Sequence, residues 1–252
     1  MSRKLLIFVL TFALCSLYGV AAAQDDFRIA RLSYLEGHVS FQHTDEVDWT
    51  AASINLPLQP GDRIYTGDNG RAEIEFDDGS VLRVAAKTDV EILTMRQKLI
   101  QLRLLVGLCS LMNRSNVTFE INTPAAAFTT TQKGSYRFDV AENGDSDGIV
   151  RKGELEAVNN RFSRPVKSGE VLHVPASDSA GEVLSRYDQR DAWDEWNDRR
   201  NADETVYESR AYVGDQVYYG VRDLDLYGRW VSIGVYGPAW VPRVGAGWSP
   251  YC

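Results

Sequence analysis

Residues 60–92 read PGDRIYTGDNGRAEIEFDDGSVLRVAAKTDVEI, and the alternation inside them narrows the fold more than any other feature. After Gly70, Ala72, Ile74 and Phe76 alternate with Arg71, Glu73 and Glu75. A strand points successive side chains to opposite faces, so this period of two predicts a half-buried strand. Asp77-Asp78-Gly79 supplies a turn, because Gly accepts a positive φ and Asp bonds its own backbone. Ser80–Val84 resumes as a strand, and Pro60-Gly61-Asp62 and Gly67–Gly70 mark further turns. The polar side, Arg71, Glu73, Glu75 and Arg83, is expected to face solvent.

The same grammar recurs. Glycine followed by a short alternating strand appears at Gly37, Gly70, Gly79, Gly107, Gly153 and Gly169, at irregular intervals. Short strands wound around a common core, or a sandwich of hairpins, both produce such a pattern. Two strands are expected over 27–42. Trp49 and Leu56 are read as anchors packing back from an irregular stretch, 43–58. KLIQLRLLVGLCSLM, 98–112, is read as two strands, Leu99–Val106 and Leu108–Met112, parted by Gly107. The fold class is therefore mainly β, solenoid-like or sandwich-like, over residues 27–175.

Residues 176–206 change character to a linker and a helix. Glu182–Arg200 lacks Gly and Pro, and Leu184, Tyr187, Trp193 and Trp196 share one helical side. Two tryptophans on a helix more often dock it than bind a ligand. Residues 207–252 are rich in Tyr, Trp, Gly and Pro. Three Trp-centred units there, at Trp230, Trp240 and Trp248, are read as short strands with turns between.

The first residues indicate compartment. Arg3 and Lys4 precede an apolar run, Leu5–Leu14, then Ala21-Ala22-Ala23 and polar Gln24. This is the pattern of a secretory signal over 1–23, cut after Ala23, with an uncleaved anchor as the alternative. A periplasmic or secreted protein is expected, with no integral membrane segment after cleavage. Removing the signal takes two from 27 basic residues, against 35 acidic ones. That balance argues against nucleic acid, which needs its phosphates neutralised, and against anionic membrane surfaces. Cys109 and Cys252 make no disulfide framework. Cys109 is read as a small buried residue and Cys252 as free, with a bond between them left open.

GDRIYTGDNGRAEIEFDDGSVLRV (61–84), TPAAAF (123–128) and GSYRFDV (134–140), in that order, resemble the FecR-type domain of bacterial envelope proteins. The resemblance spans Ile29–Val174. DLDLYGRW and GPAWVP, in the tail, resemble a Tyr/Trp-rich segment that follows such domains in proteobacterial proteins. The resemblance implies a β-rich, solenoid-like fold and a Gram-negative envelope location. In the signalling members a cytoplasmic anti-sigma region and a membrane helix precede the domain, which relays the state of an outer-membrane transporter. Here a signal-like segment leads almost directly into the domain, a departure from that pattern.

Candidate chemistry is sparse. Asn143, Asp145, Asp147 and Glu154 fit the spacing of a calcium loop, with Gly148 at its sixth position. An acidic β-turn between strands is the plainer reading. His38, His43 and His173 show no metal-ligand spacing, and no nucleophile elbow, phosphate loop or dinucleotide fingerprint is present. No enzyme and no cofactor other than calcium is expected. Trp230, Trp240, Trp248 and Tyr227 are the candidate binding residues: they could stack on sugars, anchor a protein, or cover the β-domain. Three functions follow: a module contacting another envelope protein, in signalling or assembly; a cell-wall or surface-glycan binder using the C-terminal aromatics; and a calcium-stabilised envelope protein.

Overall fold

The computed structural model describes residues 28–177, 180–204, 208–214, 219–245 and 247–248. The signal segment 1–23 and Cys252 lie outside the described residues. Seventeen strands form one continuous hydrogen-bonded system. They are β1 (Ala30–Glu36), β2 (Val39–Gln42), β3 (Thr50–Ala51), β4 (Pro57–Leu58), β5 (Arg63–Thr66) and β6 (Arg71–Phe76). Next come β7 (Val81–Val84), β8 (Asp89–Arg96), β9 (Leu99–Asn113), β10 (Thr118–Asn122), β11 (Ala127–Thr130) and β12 (Gly134–Val140). The last five are β13 (Ser146–Lys152), β14 (Glu154–Val158), β15 (Ser163–Lys167), β16 (Glu170–Val174) and β17 (Val183–Arg186).

The strands divide into two layers. One runs β4-β1-β6-β7-β9-β12-β13-β16-β17. The other runs β3-β2-β5-β8-β9-β10-β11-β14-β15. Every pairing is antiparallel except β9 with β10. The chain passes back and forth between the layers, which reconciles a winding path with a sandwich core. Inward side chains of both layers meet there. Phe76 packs edge-on against Phe119 at 5.3 Å between ring centroids, and Phe128 against Phe138 at 5.6 Å. Close-packed rings of this kind bury large areas, the dominant favourable term in folding.

Strand β9 belongs to both layers. Its first half pairs with β8 and β10, and its second half, from Gly107, pairs with β12 and β7. The sequence predicts two strands here. The structure has one, bent where Gly107 adopts φ +98, a conformation only Gly reaches without strain. Cys109 follows immediately and is buried, and burial pushes its thiol pKa far up, so it is an inert packing residue.

The helix is shorter than expected. Val183–Arg186 leaves the helical reading and adds to the free edge of β16 as β17, and the Tyr187 N–H bonds the Gly169 carbonyl at 2.8 Å. Helix α1 spans Ala192–Glu204. The Asp191 carboxylate accepts the Asp194 N–H at 2.9 Å, and the Asp194 carboxylate accepts the Asp191 N–H at 3.2 Å. This reciprocal pair starts the helix as a capping box does. Two further helices follow, α2 (Arg210–Val213) and α3 (Val221–Tyr227), and α3 takes up the start of the Trp230 unit expected as a strand. The alternation Asp223-Leu224-Asp225-Leu226 suggests a strand, but too short a run cannot distinguish the two periods. β18 (Gly228–Ile233) and β19 (Gly237–Pro242) form a separate hairpin, and Trp248 belongs to neither strand. Among the described residues no helix is long and apolar enough to cross a membrane.

Candidate functional site

The polar side of β6 and β7, expected in solvent, lies beneath α1. Glu73 and Arg83 are each 2% exposed. Arg200, on α1, donates two hydrogen bonds of 2.9 Å to the Glu73 carboxylate, Arg83 donates one of 2.8 Å, and the Ser33 hydroxyl another of 2.9 Å. Burial alone would raise the Glu73 pKa. The bond from Arg200 and the charges of Arg83 and Arg200 outweigh it and hold the group at about 2. Further along, Arg137 on β12 reaches Asp191 at 2.8 Å and Asp194 at 3.2 Å, and Arg151 on β13 also pairs with Asp194. Alternation in β6 and β7 reveals which side is polar. It cannot reveal that a charged helix will cover that side.

Aromatic packing clamps the same helix. Trp193 and Trp196 stack at 4.9 Å with 18° between their planes, and they pack with Tyr34, Ala85 and Leu108. The Trp193 indole donates to the Ser110 hydroxyl at 2.9 Å, and the Arg200 guanidinium sits 4.2 Å from the Tyr34 ring centroid. The docking role expected for these two tryptophans is met. Trp196→Ala is expected to cost about 3–5 kcal/mol, the range for deleting a large buried aromatic, and to expose Trp193, read as a red-shifted emission. A cavity of about 90 Å³ remains between α1 and the sheet, lined by Arg83, Arg137, Arg151, Asp194 and Asn197. It is roomy enough for a few waters, and its arginines face carboxylates rather than a reactive group.

The candidate calcium residues are not brought together. Asn143 and Asp145 close the turn between β12 and β13: the Asp145 N–H bonds the Asn143 side chain at 3.1 Å, and the Ala176 N–H bonds Asp145 at 2.9 Å. Asp147 sits in β13 against His173 at 2.6 Å, and Glu154 begins β14. Five residues of extended strand, about 17 Å, separate Asp147 from the end of β13, whereas calcium needs all its oxygens within about 2.6 Å. The helices that fold such a loop back on itself are absent here, so the spacing corresponds to a strand hairpin. Among the described residues no group of three or more His, Cys, Asp or Glu side chains could hold a metal.

Two of the aromatic candidates serve the tail's own packing. Trp230 lies opposite Trp240 across the hairpin. Its ring stacks on Tyr212 at 4.4 Å and its indole donates to Ser209 at 2.8 Å. The Trp240 indole donates to the Leu224 carbonyl at 2.9 Å, and its ring occupies the space where a Cβ on Gly228 would sit. Both indole N–H groups are thus spent inside the tail. Tyr227 and Trp248 are each 55% exposed and do not join them in one platform.

A further surface cluster lies on the other layer. Leu56 packs against the core as expected, but Trp49 does not. Trp49 and Tyr65 are each 40% exposed and meet edge-on at 6.2 Å. The Arg63 guanidinium lies 5.3 Å from the Trp49 ring centroid and is held by Asp89 at 2.6 Å. Val47, two residues before Trp49 in the chain, is 90% exposed. In β5 the buried Ile64 and Thr66 alternate with the exposed Tyr65, so the strand itself aims this ring outward. That alternation, RIYT, is the sequence signal for the cluster.

Residues 62–156 match the sequence model of the family described as FecR protein. The chain thus carries a FecR domain, and the matched stretch runs from the turn before β5 into β14. No curated protein matches the chain. Two solved structures of a protein from Parabacteroides distasonis, described as a putative anti-sigma factor, are similar to it. Each has a TM-score of 0.45, with 16% and 15% identity, over 50% of this chain and 60% of that one. The chain spans about three fifths of the length of those structures.

Proposed function

We propose that the chain is an exported, non-enzymatic FecR-type module that docks a second protein of the cell envelope, in signalling or in assembly. The observation that carries this reading is the cluster of Trp49, Tyr65 and Arg63 on the layer that the helices leave open. Trp, Tyr and Arg are the residues that dominate binding energy at protein interfaces. Here they are held in place before any partner arrives, which lowers the entropy cost of association. The FecR domain supports the family setting, and the signal-like first residues support export. The guanidinium groups of Arg137 and Arg151 in the cavity beneath α1 are engaged by Asp191 and Asp194, which favours a binding module over an enzyme.

The test places a photo-crosslinking residue at Val47 in cells. A discrete protein adduct is expected there, and Trp49→Ala with Tyr65→Ala is expected to reduce it at least tenfold while leaving the melting temperature unchanged. An adduct indifferent to both substitutions, or none at all, removes the reading.

A further inference from the structure

The β18–β19 hairpin divides cleanly into two faces. Trp230, Ser232, Pro238 and Trp240 form one; its two tryptophans pack against Tyr212 and Leu224 as described above, and Ser232 and Pro238 are exposed. Val231, Ile233, Ala239 and Val241 form the other, with Arg229 and Arg243 at its base. Between those two arginines the chain reads WVSIGVYGPAWVP, without a single charge. Its tip is bare: Val235 is 95% exposed, Tyr236 85% and Ile233 46%. Both arginines are exposed, and neither forms an ion pair among the described residues.

The charge distribution sharpens this. The chain carries 35 acidic residues and a net charge of −8, yet none of the acidic residues lies beyond Asp225. The net charge of the whole chain opposes binding to an anionic surface, whereas the hairpin carries two arginines and no carboxylate. From Arg229 to Ile233 the strand rises about 14 Å. An apolar tip can therefore enter the boundary between headgroups and acyl chains, about 5–10 Å deep, while the arginines stay level with the phosphates. Tyr and Trp are enriched at that boundary because their rings join an apolar body to a polar edge. Three adjacent bare apolar side chains on an otherwise acidic protein need an apolar acceptor.

We propose that this hairpin is a membrane-surface anchor, inserting Ile233, Val235 and Tyr236 into an anionic bilayer with Arg229 and Arg243 on its phosphates. This seats the module beside a membrane and leaves the Trp49 cluster, on the other layer, free for its partner.

The test uses the full chain with Val235→Cys carrying an environment-sensitive dye, and Cys15 and Cys252 replaced by serine. Buried Cys109 stays unlabelled. A dye at Ser168→Cys serves as the distant control. Vesicles of phosphatidylcholine with 30% phosphatidylglycerol are expected to shift the emission of the dye at position 235 to the blue and expose it to quenchers within the acyl chains. The control dye should not respond. Arg229→Gln with Arg243→Gln is expected to raise the lipid concentration required about thirtyfold, from about fivefold per basic residue. Any affinity of the first residues for lipid is common to all variants and cancels in the comparison between them. A dye at 235 that vesicles leave unchanged overturns the proposal. So does one that responds equally to neutral and anionic vesicles, or only to a soluble envelope protein.

Discussion

Glu73→Gln lowers the unfolding free energy by about 3–5 kcal/mol, the cost of stripping one partner from a buried ion pair. Glutamine keeps the shape and one acceptor oxygen, but removes the carboxylate charge that Arg83 and Arg200 both bond. The pH dependence carries the same signature. The Glu73 carboxyl is held at about 2 in the folded protein, against 4.5 for the free group. Its folded pKa is depressed, so its contribution is complete above about pH 4.5 and disappears as the pH falls towards 2. The shift corresponds to about 3 kcal/mol. Burial raises Glu75 and Asp139 instead, in spite of the arginines beside them, and those two act in the opposite sense. The informative quantity is therefore the difference between the native chain and Glu73→Gln. Urea unfolding at pH 7 and pH 3, followed by tryptophan emission, should show that gap closing by about 2 kcal/mol at the lower pH. A gap independent of pH would mean that the Glu73 charge contributes nothing to it.

Gly107→Ala is the second large effect, expected to cost at least about 3 kcal/mol. Two causes add. The φ of +98 is strained for any residue with a side chain, by about 1–3 kcal/mol. A Cβ there would also lie 2.6 Å from the Thr88 Cα and 2.7 Å from the Lys87 carbonyl oxygen, both backbone atoms that cannot swing away. Thr88 is fully buried, and its hydroxyl accepts the Leu108 N–H at 3.0 Å, so any shift also breaks the bond that holds the bend. Gly169→Ala separates the two causes. Its φ is +84, with nothing within 4 Å of a Cβ, so it should lose only about 1 kcal/mol. Equal losses at the two positions would mean that the bend in β9 tolerates displacement.

Both positions illustrate how far the sequence could be read. Gly107 stands out as an interruption in KLIQLRLLVGLCSLM, and a break between two strands is a fair reading of it. A strand that carries on through the glycine and changes layers depends on β12 and β7 being present to pair with its second half. Those strands lie up to about thirty residues away in the chain, beyond any local pattern. Glu73 is similar. Its alternation with Ile74 is visible, but the arginine that covers it, Arg200, arrives from the far end of α1. The capping pair Asp191 and Asp194 is the sequence signal for where that helix begins, and it leaves Leu184 to β17 and Tyr187 to the stretch that follows it.

The candidate sites follow the same division. The spacing from Asn143 to Glu154 suited a calcium loop because spacing alone does not distinguish a helical flank from an extended one. Tryptophan content marked the tail, but content cannot say which indoles are consumed by neighbours. Trp230 and Trp240 pack inward while Val235 and Tyr236 stand bare.

What the sequence determined by itself was local and periodic: the β class, most of the turns, the two docking tryptophans of the helix and the FecR domain. Each depends on side-chain alternation, turn chemistry or residue order, which act over a few bonds. The tertiary structure alone decided which polar face would be buried, where a strand would bend between layers and which aromatics would remain exposed. Those outcomes depend on burial and on charges meeting across the fold, and burial is a property of the packed chain.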